Sequence, residues 1–442
     1  MELPGLPTSA FADPSGANRA EVARLAERAL RIVLDHAAHA LDRPPVPRET
    51  IPPEWLRIAD DPVDEETLLD QLRAVLNGCM NAAHPGYMAH MDPLAATASV
   101  IGALATAAVN NNMLSVELAP SIHQIETHLM RQLCGIFGLG PDAGGIMISG
   151  GTLANLQALA IARNVKLGVR ECGVHGLERR PVILASEVAH TSIPKAAMML
   201  GLGTRGVVTV KTNGDSRIDL DSLVAELEAS RARGEQPFAV VAIAGTTTTG
   251  NIDHLPEIAD IARDNDLWLH VDAAYGGTLA FSDTHRGQLR GIERADSITF
   301  NPQKWLYVTK VCATLLLRRW ADILEAFRTP LPYYTPEPEE EGVVNSGEIS
   351  VQGTRHPDAL KLWLTLQHIG RRGLGRLIDR TVKLAERFTE EVRRRPFLAL
   401  AAEPEMNIVC FRGVPEGIED LDAWNARLRA HLRDEHRIYL SL

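Results

Sequence analysis

Between residues 144 and 317 one pattern recurs: a short apolar run without polar alternation, then a turn, then in most cases a stretch of helical periodicity. The seven runs are "GIMIS", "PVILAS", "GVVTV", "FAVVAIAG", "LWLHVD", "SITF" and "ATLLLR", and the intervening segments include "LDSLVAELEAS" and "PEIADIARDN". A strand that is apolar at successive positions has no face for water, so both faces must be covered. Strands of that kind joined by helices predict an α/β domain built on a mainly parallel seven-stranded sheet. In such a sheet ligands sit outside the carboxyl ends of the strands, so chemistry is sought in the residues that follow each run.

The remainder of the 442 residues reads as flanking structure. Apolar positions spaced three and four apart predict a helix over 18–41, which the Pro-rich "DRPPVPRETIPPEW" ends. A second helix is expected near 64–80, with helical patterns after the loop "NAAHPGYMAHMDP" up to about 138. Residues 331–349 are rich in Pro, Glu and Gly and read as a mobile loop. Helices are expected at about 357–370, 373–394 and 420–436, with strands at "NIVCF" and at the closing "RIYLSL". The expected division is an N-terminal helical segment, 1–82, a large α/β domain, 83–345, and a small C-terminal α+β domain, 346–442.

Charge and cysteine usage exclude several classes. A formal charge of -11 and a pI near 5.8, with no basic run interleaved with aromatics, argue against a nucleic-acid partner. Five scattered cysteines without a CxxC pair indicate neither a disulfide framework nor a zinc module. His84 and His90 lie six apart on a loop, a spacing with no recognised ligand geometry, so no metal is expected. Without a 20-residue apolar span or a signal-like start, the expected location is the cytoplasm, with no membrane.

Four strand ends carry candidate groups. "GIMIS" leads into Gly150, Gly151 and Thr152 and then a helix, whose first N–H groups and positive dipole end suit an anion such as phosphate. "VILASEVAHTS" delivers His190, "LWLHVD" ends in Asp272, and "SITFNPQKW" presents Asn301, Gln303 and Lys304. Singly, each has a plain structural reading: a tight glycine turn, a structural histidine, a capping carboxylate, a snorkelling lysine. Together they match one chemistry. A lysine out of water has a lowered pKa and forms an imine with an aldehyde. A carboxylate opposite a pyridine nitrogen holds its proton, and the glycine turn takes a phosphate. The cofactor that uses every group is pyridoxal 5'-phosphate (PLP).

These residues resemble the PLP-dependent group II amino-acid decarboxylases, a family that includes aromatic amino-acid, histidine and glutamate enzymes. The likeness runs through "HPGYMAHMDP", "SGGTLANLQAL", "EVAHTS", "GTTTTGNID", "HVDAAYGG", "NPQKW" and "GTRHPDALKLW". It implies the PLP-dependent transferase fold type I, the aspartate-aminotransferase-like architecture. It also implies a homodimer with active sites at the interface and the N-terminal helical segment packed on the partner. By this resemblance Lys304 is the Schiff-base lysine, Asp272 the ring-nitrogen partner and His190 the stacking histidine, with Ala274 near the opposite face. Gly150, Gly151, Thr152 and Asn301 correspond to phosphate ligands and Thr247 to a neighbour of the ring hydroxyl, while Gly353 and Thr354 are expected at the phosphate of the partner's cofactor. Tyr333, or failing that Tyr334, corresponds to the loop tyrosine that protonates the substrate carbon.

The chain departs from the family at three places. Gln303 stands before the lysine where His is common, Leu94 replaces a small hydroxylated residue, and the chain stops at "RIYLSL" where relatives continue. His90, Asp92 and Leu94 are the candidate substrate-pocket residues; Asp92 is equally read as a turn former before Pro93. The resemblance implies decarboxylation of an L-amino acid to an amine and CO₂. An aldehyde synthase, a carbon–carbon lyase of the same fold and a non-catalytic binding protein are the alternative readings.

Overall fold

The computed structural model describes residues 5–330 and 344–441. The seven apolar runs form one seven-stranded sheet: β1 (Gly144–Ile148), β2 (Pro181–Ser186), β3 (Val207–Val210), β4 (Gln236–Ile243), β5 (Trp268–Asp272), β6 (Ser297–Phe300) and β7 (Ala313–Leu317). Their spatial order is β1-β7-β6-β5-β4-β2-β3. The pairs β2–β3, β2–β4, β4–β5 and β5–β6 are parallel, and β7 runs antiparallel to both its neighbours, β1 and β6. The mainly parallel sheet expected from the apolar runs is therefore present, and Val182, Ile183, Leu184 and Ala185 on β2 are 0% exposed.

This topology positions the site. The parallel strands end on one edge, and the β6-to-β7 connection turns back at that same edge because β7 is antiparallel. The helix Gly151–Leu167 follows β1 directly and is buried without interruption from Ala154 to Ala162. A helix covered on all sides has no solvated stripe, so any polar residue in that stretch must find a partner inside.

By contact density the chain divides into two compact units, residues 1–94 with 419–442, and residues 95–418, where the sequence places divisions after 82 and 345. In the first unit the helices Arg19–Ala38 and Glu65–Asn77 lie in the two regions expected to be helical. Asp64 caps the second by accepting the Thr67 N–H. Strand Tyr87–Met88 pairs in parallel with Tyr439–Leu440, which follows the helix Leu421–His436.

In the second unit the helices Ala359–Ile369 and Arg371–Arg393 match expectation. The strand expected at "NIVCF" is displaced: only Phe411 to Gly413 pair, antiparallel with Leu398–Leu400. Asn407 instead accepts the Tyr275 hydroxyl at 2.8 Å, and the Cys410 thiol points at the Thr248 carbonyl. The segment read as a loop over 331–349 ends in a short helix, Ser346–Ile349, whose Glu348 is buried against Arg328 at 2.6 Å. Among the described residues, no helix is long and apolar enough to cross a membrane.

Candidate active site at the carboxyl edge of the sheet

Gly150 follows β1 at φ +100°, a backbone region that side chains disfavour, and caps the helix that begins at Gly151. A Cβ on Gly151 would lie 2.7 Å from Asn301 Nδ2, so the absence of a side chain is what lets Asn301 rest on the helix start. Asn301 is buried, and its Oδ1 end has no hydrogen-bond partner among the described residues. Turning the amide over would present N–H there instead, so this end can receive a ligand acceptor. Free helix N–H groups, a bare glycine and an unsatisfied amide end together fit a phosphate.

Behind that turn lies a clamp. Gln352 accepts the Ser149 N–H at 2.9 Å and donates to the Ser149 hydroxyl at 3.0 Å. Gln157 donates to the Ile349 carbonyl at 2.6 Å and accepts the Val351 N–H at 2.9 Å. The segment leading to Gly353 and Thr354 is thereby stitched to the helix. Those two residues are exposed, and the Thr354 hydroxyl accepts from Asn112 at 3.3 Å.

Asp272, the last residue of β5, is buried and accepts the Asn155 amide at 2.8 Å and the Ala274 N–H at 3.1 Å. His190 lies four residues past β2. Burial lowers its pKa, Asp272 opposes that shift and Lys304 adds to it, so these three groups share one electrostatic neighbourhood. Lys304 is half-buried in the β6-to-β7 connection, its N–H donating to the Asn301 carbonyl at 3.0 Å. Gln303 Oε1 accepts the Cys312 N–H at 2.5 Å, so the residue preceding the lysine braces this connection. Thr247 is exposed in the turn after β4, where the Thr246 and Thr249 hydroxyls meet at 2.9 Å.

His90, Asp92 and Leu94 belong to the first unit, where His90 packs its ring on Tyr439 with centroids 5.9 Å apart. Tyr333 and Tyr334 lie outside the described residues.

Sequence reasoning passed over Asn155, Ser192, His270 and Ser297, all buried behind Asp272. The available signal was Asn155 itself, with Gln157 one of two polar side chains in the otherwise apolar stretch Ala154–Ala162. Burial pushes the His270 imidazole down to about 4, against the attraction of Asp272. The unfolded chain takes up that proton near the ordinary 6.5, so the stability due to this group is complete above pH 6.5. It is lost as pH falls toward 4, by up to about 3 kcal/mol. Urea unfolding at pH 7.5 and pH 5 is expected to show a larger acid loss for the wild type than for His270→Gln; equal losses would refute the assignment.

The family model described as pyridoxal-dependent decarboxylase conserved domain matches residues 47–414. Human cysteine sulfinic acid decarboxylase is 34% identical over 362 residues, covering 80% of this chain and 72% of that protein. L-2,4-diaminobutyrate decarboxylase of Rhizobium meliloti (strain 1021) is 38% identical over 362 residues, covering 81% and 71%. Among solved structures, mouse CSAD superposes with a TM-score of 0.88 at 28% identity, covering 95% of this chain and 91% of that one.

Proposed function

The chain belongs to the pyridoxal-dependent decarboxylase family, and from that premise we propose that it converts one L-amino acid into the corresponding amine and CO₂, working as a homodimer. The cofactor is pyridoxal 5'-phosphate, which when bound supplies an aldehyde for the substrate amine and a ring that accepts the electron pair released with CO₂. The observation that carries the reading is the convergence of an anion turn, a buried carboxylate and a lysine on one sheet edge.

In this reading Gly150, Gly151, Thr152 and Asn301 hold the phosphate, and Thr247 lies by the ring hydroxyl. Asp272 keeps the ring nitrogen protonated, since a carboxylate accepts that proton's hydrogen bond in a site where an unpaired charge is costly. His190 and Ala274 would hold the ring between them. Lys304 would hold the cofactor covalently through its amine. Gly353 and Thr354 reach the phosphate in the partner subunit, and Tyr333 returns a proton to the substrate carbon. His90, Asp92 and Leu94 face the substrate side chain.

The test is a panel of L-amino acids with amine, CO₂, aldehyde and peroxide all quantified. Cysteine sulfinate and 2,4-diaminobutyrate head the panel because relatives named for them reach 34% and 38% identity. Amine and CO₂ in equal amounts support the reading. Aldehyde with peroxide would assign the chain to the oxidative alternative, and no turnover of any member would defeat both.

A further inference from the structure

Asp272 and His190 are bridged by one amide, and the direction of every hydrogen bond leading to it can be worked out. The Trp268 indole N–H can only donate, and it lies 2.8 Å from Ser297 Oγ. The Ser297 hydroxyl keeps a proton and a second lone pair, so its 2.8 Å contact with His270 Nδ1 takes its direction from the histidine. That direction is set from the other end: the Asp272 carboxylate only accepts, so Asn155 Nδ2 donates to its Oδ2 at 2.8 Å, and to Ser192 Oγ at 2.9 Å. Asn155 Oδ1 then accepts from His270 Nε2 at 3.0 Å, which leaves Nδ1 of a neutral His270 to accept the Ser297 hydroxyl proton. Ser192 in turn directs its hydroxyl proton to His190 Nδ1 at 2.9 Å, and its backbone N–H meets the same nitrogen at 3.2 Å.

Trp268, Ser297, His270, Asn155 and Ser192 are each no more than 2% exposed, so water does not compete for these bonds. The chain has one consistent set of directions, and its free end is the Nε2–H form of His190. The Ser192 backbone N–H can only donate, so it too makes His190 Nδ1 the acceptor and leaves the proton of the neutral ring on Nε2.

We propose that Asn155 is a positioning residue that holds the Asp272 carboxylate and the Nε2–H form of His190 as a single unit, its own amide orientation set by Asp272 and braced by His270, Ser297 and Trp268. The inference rests on the roles assigned above to Asp272 and His190. One donated hydrogen of the amide holds the Asp272 carboxylate and the other holds Ser192, which holds the His190 imidazole, so an error in one would be transmitted to the other.

The experiment uses the PLP-loaded protein. In the wild type labelled with ¹⁵N in its histidine rings, assigned with His190→Gln and His270→Gln, both histidines are expected as Nε2–H tautomers. A Nδ1–H form of either overturns the proposal, and this measurement needs no substitution at Asn155. Asn155→Leu removes both donors at similar volume, and Asn155→Asp keeps the acceptor but sets a second acid against Asp272. Each is expected to lower kcat by about 30- to 100-fold with KM within about threefold, to weaken PLP affinity and to alter the near-visible band. A wild-type band and kcat in both variants, with only a lower unfolding midpoint, would make Asn155 a packing residue and overturn the proposal. Absence of the band from the unaltered chain would instead overturn the assignment of Lys304, and this inference with it.

Discussion

Lys304→Ala is expected to lower turnover by at least about 10³-fold, equivalent to roughly 4 kcal/mol of barrier, and to abolish the near-visible band of the loaded protein. The loss is chemical and not structural. Lys304 is half-buried, and the backbone bonds of its turn, from its N–H to the Asn301 carbonyl and from the Tyr307 N–H to its own carbonyl, survive in alanine. The unfolding midpoint should therefore move little. Lys304→Arg separates charge from nucleophilicity, because a guanidinium keeps the positive charge and is not deprotonated in proteins. It should lose as much activity as the alanine variant. Quantified amine and CO₂ give the turnover, and borohydride reduction followed by mass analysis checks the tether. Retention of more than about a tenth of wild-type turnover by either variant would show that another amine carries the chemistry.

Lys304 and Asp272 were legible in the sequence because Asp272 ends one buried strand and Lys304 follows another by four residues, and a charge at such a place stands out in a linear string. The strands themselves were legible because unalternated apolar runs have few other uses. The bridge behind them was not, since Asn155 meets His270 and Asp272 only through the strand order β1-β7-β6-β5-β4-β2-β3. Nothing local sets that order. The 301–312 connection is equally compatible with a strand running either way, and it is the antiparallel β7 that returns the lysine loop to the carboxyl edge. "NIVCF" misled for a related reason: of its apolar residues only Phe411 lies in the strand, and Ile408 instead packs beside Gly250, where an added Cβ would lie 3.0 Å from its side chain. The closing strand at "RIYLSL" was legible, but the pairing of its Tyr439 and Leu440 with Tyr87 and Met88 was not.

Breaking the buried pair between Glu126 and Arg355 is expected to cost about 3–5 kcal/mol of folding stability whichever partner is removed. The guanidinium meets the carboxylate twice, at 2.9 and 2.8 Å, and the carboxylate also accepts the Met147 N–H at 3.2 Å. Arg355 is 3% and Glu126 5% exposed, so Glu126→Leu leaves a cation without water, and Arg355→Met leaves a carboxylate with one remaining donor. Because desolvation offsets much of the attraction in such a pair, Glu126→Leu combined with Arg355→Met should recover most of the loss. Urea unfolding of the two single variants and the double variant measures the coupling directly. The double variant also separates folding from function. Arg355 follows Gly353 and Thr354, and its backbone is held by the Asn112 side chain at 3.2 Å and the Met113 N–H at 2.9 Å. If the pair serves stability alone, the refolded double variant should bind PLP as tightly as the wild type. If it also places Gly353 and Thr354 for the phosphate, stability returns while cofactor affinity stays reduced, and the second outcome is the one expected.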